Sequence, residues 1–376
     1  MNIIKSFFAA SPTIRFFTSI IIKFISAIFI LLIFVSINSC SDSGVEIKLP
    51  KNPFEMAWIS DTITYPKSDQ VMMETIWASS SKDVWIAGHN DRSIGEIFHF
   101  DGTSWKEIDP MNDVPRSPKT INKVMGLNAN NIWMVGDRRG YNRKDLIINY
   151  DGKKWYEHNM NAQVRPISLF ANRKDDIWVG CDSAVIYHYD GIKWERDIPT
   201  LRLPKISEYF INGIVVKNND VYLNVAIDDQ NERSYKFYFI KGTMKNWTVI
   251  DSMEIKNPMS VIKWGNWGLS LGKEGGVYSF GYYGVWQYID NNWVHTLQTN
   301  YAVENVFSYN TNYQIAVGHY GTVWFFDGSE WKRLEKFFQP DGGFNFTDAW
   351  TDGRELFLVG YTTGTWPSKT VVWRGK

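Results

Sequence analysis

Short runs of β-branched and aromatic residues recur along most of the chain, separated by residues that favour turns. The clearest unit has an apolar run at 83–88, a second run at 97–100, the pair Asp101-Gly102 and then Trp105. Apolar runs of this length between turn residues predict strands. No segment of 41–376 shows convincing helical periodicity, so the pattern predicts an all-β chain.

Seven copies of this unit can be recognised, and the repetition decides the predicted fold. Their second strands lie at 83–88, 131–136, 176–181, 220–222, 277–281, 314–318 and 355–360. A Trp follows the turn about every 40–50 residues, at Trp105, Trp155, Trp194, Trp247, Trp293 and Trp331. A further short strand precedes each second strand, so each unit holds about four strands, as a propeller blade does. One blade cannot bury both of its faces, so 54–376 are predicted to form one domain, a seven-bladed β-propeller of four-stranded antiparallel blades.

The two ends of the repeat predict how the ring closes. The last copy stops at 374–376, where other copies carry the turn into a fourth strand. An unassigned apolar segment, 56–61, precedes the first copy and resembles the fourth-strand segment 104–109. We expect this N-terminal strand to complete the last blade, because an open ring would leave two exposed sheet edges.

Most of the acidic and histidine residues of the repeat have a structural interpretation. Asp-Gly between two strands favours a type I′ hairpin, because Gly tolerates positive φ. Turn residues, rather than catalytic carboxylates, are therefore predicted at Asp101, Asp151, Asp190 and Asp327. Asp83 and Asp176 are assigned to the turn into the second strand. His99 and His188 share one mid-strand position in their copies, which favours a structural role over metal binding.

The first forty residues have the pattern of an export signal. A basic stretch ends at Lys23, and the apolar run that follows, 24–35, is short for a membrane span. It leads to Ile-Asn-Ser-Cys at 37–40, which resembles the lipobox of bacterial lipoproteins. The resemblance implies that a signal peptide, 1–39, is removed and that Cys40 becomes the lipidated N-terminus. A polar tether over 40–53, similar to that of Bacteroidota lipoproteins, would hold the protein on the cell envelope at the outer membrane, with the side it faces left open.

An uncleaved anchor helix from about Phe16 to Val35 is the alternative, with Lys23 inside it. If Cys40 carries lipid, Cys181 has no partner for an intramolecular disulfide, since the chain has only these two Cys. We expect a lone thiol in this compartment to be buried and inert.

The repeat is similar to the Trp-rich propellers of periplasmic sensor proteins and to photosystem-II-assembly-factor-like propellers. The similarity covers nearly all of 54–376. The repeat lacks the signatures of WD, Asp-box sialidase and kelch propellers. What the resemblance implies is a fold, and a fold does not by itself carry a function.

The charge balance and the absence of known catalytic motifs narrow the range of possible functions. Lys plus Arg number 40, as do Asp plus Glu, and 1–39 hold three basic residues and no acid, so the remainder carries 37 − 40 = −3. This near-neutral balance gives no electrostatic footprint for nucleic acid. No nucleophile elbow, phosphate loop, dinucleotide fingerprint or His-Glu-x-x-His motif occurs, and the sequence predicts no cofactor and no metal site.

The candidate site is a ring of residues that directly follow the second strands. Its members are His89, Asp137, Asp182, Tyr282, His319 and Tyr361. The adjoining loops add Arg138, Arg139, Tyr141, Asp228, Tyr283, Tyr320 and Trp366. All these loops are expected on one face around the central mouth, where aromatic and mixed polar groups suit a peptide or sugar. A solvated rim without a ligand is the alternative.

Three functions remain open on the sequence alone. The first is a binding or scaffold propeller on the envelope that engages a protein or a glycan through its loop face. The second is a glycan-active enzyme, a lyase or hydrolase, with its site at the central mouth. The third is a purely structural component of the envelope.

Overall fold

The computed structural model describes residues 50–376, apart from 93, 115–117, 139–144, 161–162, 200–207, 230–233 and 257–261. The predicted signal peptide, Cys40 and most of the predicted tether lie outside the described residues. Pro50–Lys376 form one compact unit. Within the described part of this unit, no helix is both long and apolar enough to span a membrane.

The described residues form 28 strands, which fall into seven blades of four, and four short 3₁₀ helices. The first strand, β1 (Trp58–Ile63), belongs to the last blade. Blade 1 contains β2 (Val71–Ser80), β3 (Asp83–Asn90), β4 (Ile97–Phe100) and β5 (Trp105–Glu107). Blade 2 contains β6 (Pro118–Asn128), β7 (Asn131–Arg138), β8 (Asp145–Tyr150) and β9 (Trp155–Glu157). Blade 3 contains β10 (Pro166–Arg173), β11 (Asp176–Cys181), β12 (Ile186–Tyr189) and β13 (Trp194–Asp197).

The second half of the chain continues the series. Blade 4 contains β14 (Glu208–Lys217), β15 (Asp220–Asp229), β16 (Ser234–Thr243) and β17 (Asn246–Ile255). Blade 5 contains β18 (Gly268–Leu271), β19 (Val277–Gly281), β20 (Gly284–Ile289) and β21 (Asn292–Gln298). Blade 6 contains β22 (Val303–Asn310), β23 (Tyr313–Gly318), β24 (Val323–Phe326) and β25 (Trp331–Arg333). Blade 7 contains β26 (Phe344–Thr351), β27 (Leu356–Thr362), β28 (Thr370–Gly375) and β1, and the 3₁₀ helices are Pro53–Glu55, Pro110–Asn112, His319–Gly321 and Glu335–Phe337.

The N-terminal strand closes the ring as predicted. β1 pairs antiparallel with β28 along its whole length, from Trp58 opposite Gly375 to Ile63 opposite Thr370. It therefore supplies the fourth strand of blade 7, whose strand order is β1-β28-β27-β26. The prediction of an all-β, seven-bladed propeller closed by an N-terminal strand is confirmed.

Indole rings join neighbouring blades, which explains the richness in Trp. The fourth-strand Trp155 packs edge-on against the second-strand Trp85 of blade 1, with ring centroids 6.0 Å apart. Trp194 makes the same contact with Trp133 at 6.0 Å. Each contact buries flat apolar surface between two blades, which single blades cannot do.

Hydrogen bonds from the fourth-strand indoles reach the outer edge of the preceding blade. Trp247 Nε1 donates to the Asp197 carboxylate of blade 3 at 2.8 Å. Trp105 Nε1 donates to Asp61 of β1 at 3.2 Å. Since Asp61 takes the place in blade 7 that Asp197 takes in blade 3, β1 participates in the blade-to-blade contacts as an ordinary fourth strand.

His99 and His188 belong to a repeated structural triad. His188 stacks on Trp178 with centroids 4.0 Å apart, and its Nε2 bonds to Asp176 at 2.9 Å. Trp178 Nε1 donates to the same carboxylate at 2.6 Å. Burial opposes ionisation of Asp176, but the hydrogen bonds outweigh it and lower its pKa to about 2. His99, Trp85 and Asp83 repeat the arrangement, so the structural interpretation of both His residues is confirmed.

The Asp-Gly turns are real, but their predicted type is wrong. Asp101 Oδ1 accepts the backbone N–H groups of Thr103 and Ser104 at 2.9 and 3.0 Å, which confirms it as a turn residue. Gly102 alone in this turn has a positive φ, 92°, whereas type I′ needs two successive positive values. Two such values occur instead at 218–219 and 290–291, because Asn and Asp tolerate that conformation.

Cys181 is fully buried and is the free cysteine among the described residues. Burial raises the pKa of its thiol well above the ordinary value. The thiol therefore stays protonated and unreactive, as predicted.

Candidate functional site

A β-bulge interrupts the innermost strand of six blades at the same place. Each bulge leaves one residue between two paired positions, which re-aims its side chain. These residues are Glu74, Asn122, Ile167, Asn212, Glu304 and Thr347. In blade 5 the corresponding residue is Trp267, which directly precedes β18 and donates its backbone N–H to Phe280 at 2.9 Å. All seven line one cavity at the centre of the ring, which we call the central well.

The central well has a volume of about 540 Å³ and a mainly polar lining. Besides the seven residues above, it is lined by Lys123 and Arg165 and by Tyr361. Every blade thus contributes to one space, and the side chains in it differ in charge from blade to blade.

Acid–base groups gather on one side of the well. Glu74 has no hydrogen-bond or ion-pair partner among the described residues, and burial, followed by the nearby Glu304, raises its pKa to about 7. Glu304 itself is held by His319, whose Nε2 lies 2.7 Å from its carboxylate. Burial, with Glu74 and Glu304 adding to it, raises the pKa of Tyr361 to about 12. Within the described residues no cluster of His, Cys, Asp and Glu is arranged to hold a metal ion.

A buried carboxylate ties several blades together beside the well. Asp348 of blade 7 accepts hydrogen bonds from the Ile76 N–H of blade 1 and the Lys123 ammonium of blade 2, both at 3.1 Å. Asn305 of blade 6 also donates to it. Asp348 is buried, and such a charge requires this degree of pairing. The Lys123 ammonium therefore helps to hold the blades together.

A groove arises beside the well because blade 4 is longer than its neighbour. β14, β15, β16 and β17 each have 10 residues. β18, β19 and β20 of blade 5 have 4, 5 and 6 residues. The ends of the long strands form a wall beside the short β19–β20 turn at Tyr282 and Tyr283.

The resulting blade 4/5 groove has a volume of about 590 Å³ and a mainly apolar lining. Its aromatic residues are Phe210, Tyr235, Phe237, Trp267, Tyr282 and Tyr283. Glu208 and Asp228 lie at the strand ends that line it. Phe210 and Trp267 also line the central well, so the two cavities adjoin on one face.

Three members of the predicted ring meet around these cavities. Tyr282 is 52% exposed and packs edge-on against Trp267, with centroids 4.8 Å apart. The His319 ring also packs against Trp267, with centroids 5.4 Å apart. Tyr361 lines the well directly.

The other three members of the ring do not line either cavity, although Asp182 forms a β-bridge with Phe210, which lines both. His89 Nε2 lies 3.1 Å from Gln70 Oε1. Asp182 accepts the backbone N–H of Arg165 at 2.9 Å. Asp137 is half-buried in β7, opposite Thr120. The predicted ring is therefore not a single lining. Tyr282, His319 and Tyr361 lie in or beside the cavities, Asp182 contacts residues that line them, and His89 and Asp137 do neither.

The predicted loop residues also differ in where the structure places them. The prediction for Arg138 is wrong: its side chain is buried, its Nε donates to the Asp145 carbonyl at 2.9 Å and its guanidinium pairs with Glu157. Trp366 is exposed in the connection between β27 and β28. Arg139 and Tyr141 lie outside the described residues.

The sequence did not point to Glu74, Phe210, Asn266, Trp267 or Glu304. For Glu74, Trp267 and Glu304 the signal was the residue just before the innermost strand run, such as Glu74 before Thr75-Ile76-Trp77. That position is shared by all blades, but its residue type changes, so a search for repeated letters passes over it.

Comparison with known proteins places the fold. No family model and no curated protein matches the chain. The solved structure of YCF48 bound to a D1 peptide is similar, with a TM-score of 0.55 and 11% identity over 87% of this chain and 99% of that chain. YCF48 from Cyanidioschyzon merolae has a TM-score of 0.54 and 12% identity over 85% of this chain and 98% of that one. The chain is thus a β-propeller that resembles the YCF48 propeller in fold.

Proposed function

We propose that this protein is a lipid-anchored propeller of the bacterial cell envelope that binds a segment of a partner protein on the face that carries the central well and the blade 4/5 groove. The anchor in this proposal is Cys40. The propeller is the rigid scaffold, and the groove is the primary contact surface.

The observation that carries the proposal is the groove itself. A mainly apolar cavity of about 590 Å³ opens beside exposed aromatic side chains, of which Tyr282 is 52% exposed. Exposed aromatic residues around a concave apolar surface are typical of sites that bind another molecule. The turns of the opposite face are short and carry Asp101, Asp190 and Asp327 as turn residues.

The fold is compatible with this function. YCF48, which resembles this chain in fold, has been solved bound to a D1 peptide. A glycan-active enzyme, the alternative drawn from the sequence, would use Glu74 and Glu304 in the central well. We favour binding because the groove beside the well presents a mainly apolar and aromatic surface, which suits a segment of a partner protein.

Site-specific photocrosslinking in cells tests the proposal. A photoreactive phenylalanine analogue in place of Tyr283 should yield a discrete crosslinked protein, because Tyr283 lines the groove. The same analogue in place of Ile192, 89% exposed on an Asp-Gly turn of the opposite face, should not. The species should also be lost when Tyr282→Ala is added, with the melting temperature nearly unchanged because that side chain is largely exposed.

Equal crosslinking from Tyr283 and Ile192 would show that the chosen face is wrong. Crosslinking from Tyr283 that survives Tyr282→Ala would show that the groove is not the contact surface. No crosslinked protein from either position would contradict a protein-binding function.

A further inference from the structure

We propose that the blade 4/5 groove recognises a Lys or Arg flanked by apolar residues in an extended segment of the partner protein. This inference rests on the proposed function and specifies the chemistry of the partner. It is carried by the charges at the strand ends, by one buried acceptor and by the aromatic residues of the groove.

Two carboxylates face each other at the strand ends, and no cation of the described residues pairs with either. Glu208 of β14 is directly opposite Asp228 of β15 in the strand register. Neither has an ion-pair or hydrogen-bond partner among the described residues, and the residues lining the groove include no Lys or Arg. Like charges in directly opposite positions destabilise a sheet. A basic side chain of a ligand would remove that repulsion.

A buried acceptor lies in the same groove. Asn266 is only 7% exposed, lines the groove, and has a side-chain Oδ1 without a hydrogen-bond donor in the described part of the chain. A buried acceptor without a donor is unfavourable. A ligand that carries N–H groups, such as a peptide backbone or a guanidinium, would satisfy it.

The aromatic side chains supply the remaining part of the recognition. Trp267 and Tyr282 form an edge-to-face pair, and Tyr283 continues it 6.5 Å from Tyr282. Aromatic faces accept both apolar side chains and cations. A neutral glycan would leave both carboxylates without a counter-charge, so the combination favours a basic peptide.

The test uses the full-length protein in detergent and a library of random twelve-residue peptides displayed on phage. Selected peptides should carry Lys or Arg close to aromatic or aliphatic residues. Synthetic copies, measured by fluorescence anisotropy, should bind about tenfold more weakly to the Glu208→Gln, Asp228→Asn double variant, as expected for loss of a charge-assisted contact. The matched control is Asp175→Asn with Glu330→Gln, two exposed acids at turns of the opposite face, and it should leave affinity unchanged.

The outcomes separate this inference from the proposed function. The acidic double variant should fold with an unchanged or slightly raised melting temperature, because it removes repulsion. Peptides that lose binding with Tyr282→Ala, yet contain no basic residue or ignore the acidic double variant, would overturn the inference and leave the proposed function standing. If no peptide is selected, or if selected peptides ignore both sets of substitutions, the inference and peptide binding in this groove are both wrong.

Discussion

Acidic residues at repeated positions fall into two groups, those paired inside a blade and those that face the central well. Asp83 and Asp176 hold a stacked Trp–His pair, so their carboxylates are fully used inside the blade. Glu74 occupies a repeated position as well, but its carboxylate faces the central well without a partner among the described residues. An ionisable group in such a place affects stability through its protonation.

Glu74 should make stability depend on pH. Its folded-state pKa of about 7 is above its ordinary value of 4.5, so the folded protein binds the proton more tightly than the unfolded chain. Stability should therefore fall as pH rises from about 4.5 to about 7. Glu74→Gln should remove this loss and stabilise the protein at pH 8 by on the order of 1–3 kcal/mol, since each pKa unit corresponds to about 1.4 kcal/mol and the partial exposure of Glu74 reduces the effect.

Urea unfolding at pH 4 and at pH 8 measures this difference. Glu74→Gln should be close to wild type at pH 4 and more stable at pH 8. The control Glu330→Gln, an exposed acid on a turn, should show no such pH dependence. Equal effects of Glu74→Gln at both pH values would show that the carboxyl is ionised normally in the folded protein.

At the scale of elements, β1 is one short strand that closes the whole ring. β1 contributes a half-buried Trp58 whose ring packs 4.9 Å, edge to face, from Phe337 in the 3₁₀ helix that follows β25 of blade 6. Its Nε1 donates to the Pro53 carbonyl at 3.3 Å. The strand thus joins blade 7 to blade 6 as other fourth strands join their neighbours.

Trp58→Ala should destabilise the propeller by about 2–3 kcal/mol, somewhat below the range for a fully buried Trp because Trp58 is half-buried. Ile59→Ala on the same strand is the matched control, since Ile59 is 49% exposed and should change stability little. Thermal unfolding of both variants measures the contrast. Similar melting temperatures for Trp58→Ala and Ile59→Ala would mean that β1 is not needed to close the ring.

The fold could be predicted from the sequence because positions with a structural role carry the same residue type in successive blades. Trp105, Trp155 and Trp194 recur because every blade presents the same surface to its neighbour. The lining of the central well could not be predicted in this way, because Glu74 and Ile167 share a position but no chemistry. A bulge shifts the register by one residue, and this shift is not visible in the hydrophobic pattern.

The groove could not be predicted from the sequence either, because blade 4, which forms one side of it, matches the repeat poorly. Blade 4 reads as a degraded copy, with only Asp220-Val221-Tyr222 recognisable in its second strand. Its second, third and fourth strands are in fact longer than those of the other blades, with 10 residues each. The departure from the repeat therefore coincides with the groove that we propose as the binding site.

At the scale of the whole molecule, a closed ring and an anchored N-terminus are compatible. β1 at the start of the propeller is the outermost strand of blade 7, so the chain enters the domain at the rim of the ring. β1 lines neither the central well nor the blade 4/5 groove, so the strand that follows the proposed anchor in the sequence is not part of the proposed binding site.

Cys40→Ala tests the anchor. If Cys40 is the lipidated N-terminus, the variant should lose incorporation of labelled palmitate, and its signal peptide should no longer be removed after Ser39. The propeller fold should be unaffected, because β1 begins only at Trp58. An anchor helix from about Phe16 to Val35 predicts a different result, since wild type and variant would then have the same length, no label and the same membrane association. Mass spectrometry of the N-terminal peptide, together with fractionation of the cells, therefore decides between the two anchors, and a wild-type protein without lipid on Cys40 would leave the lipoprotein proposal without support.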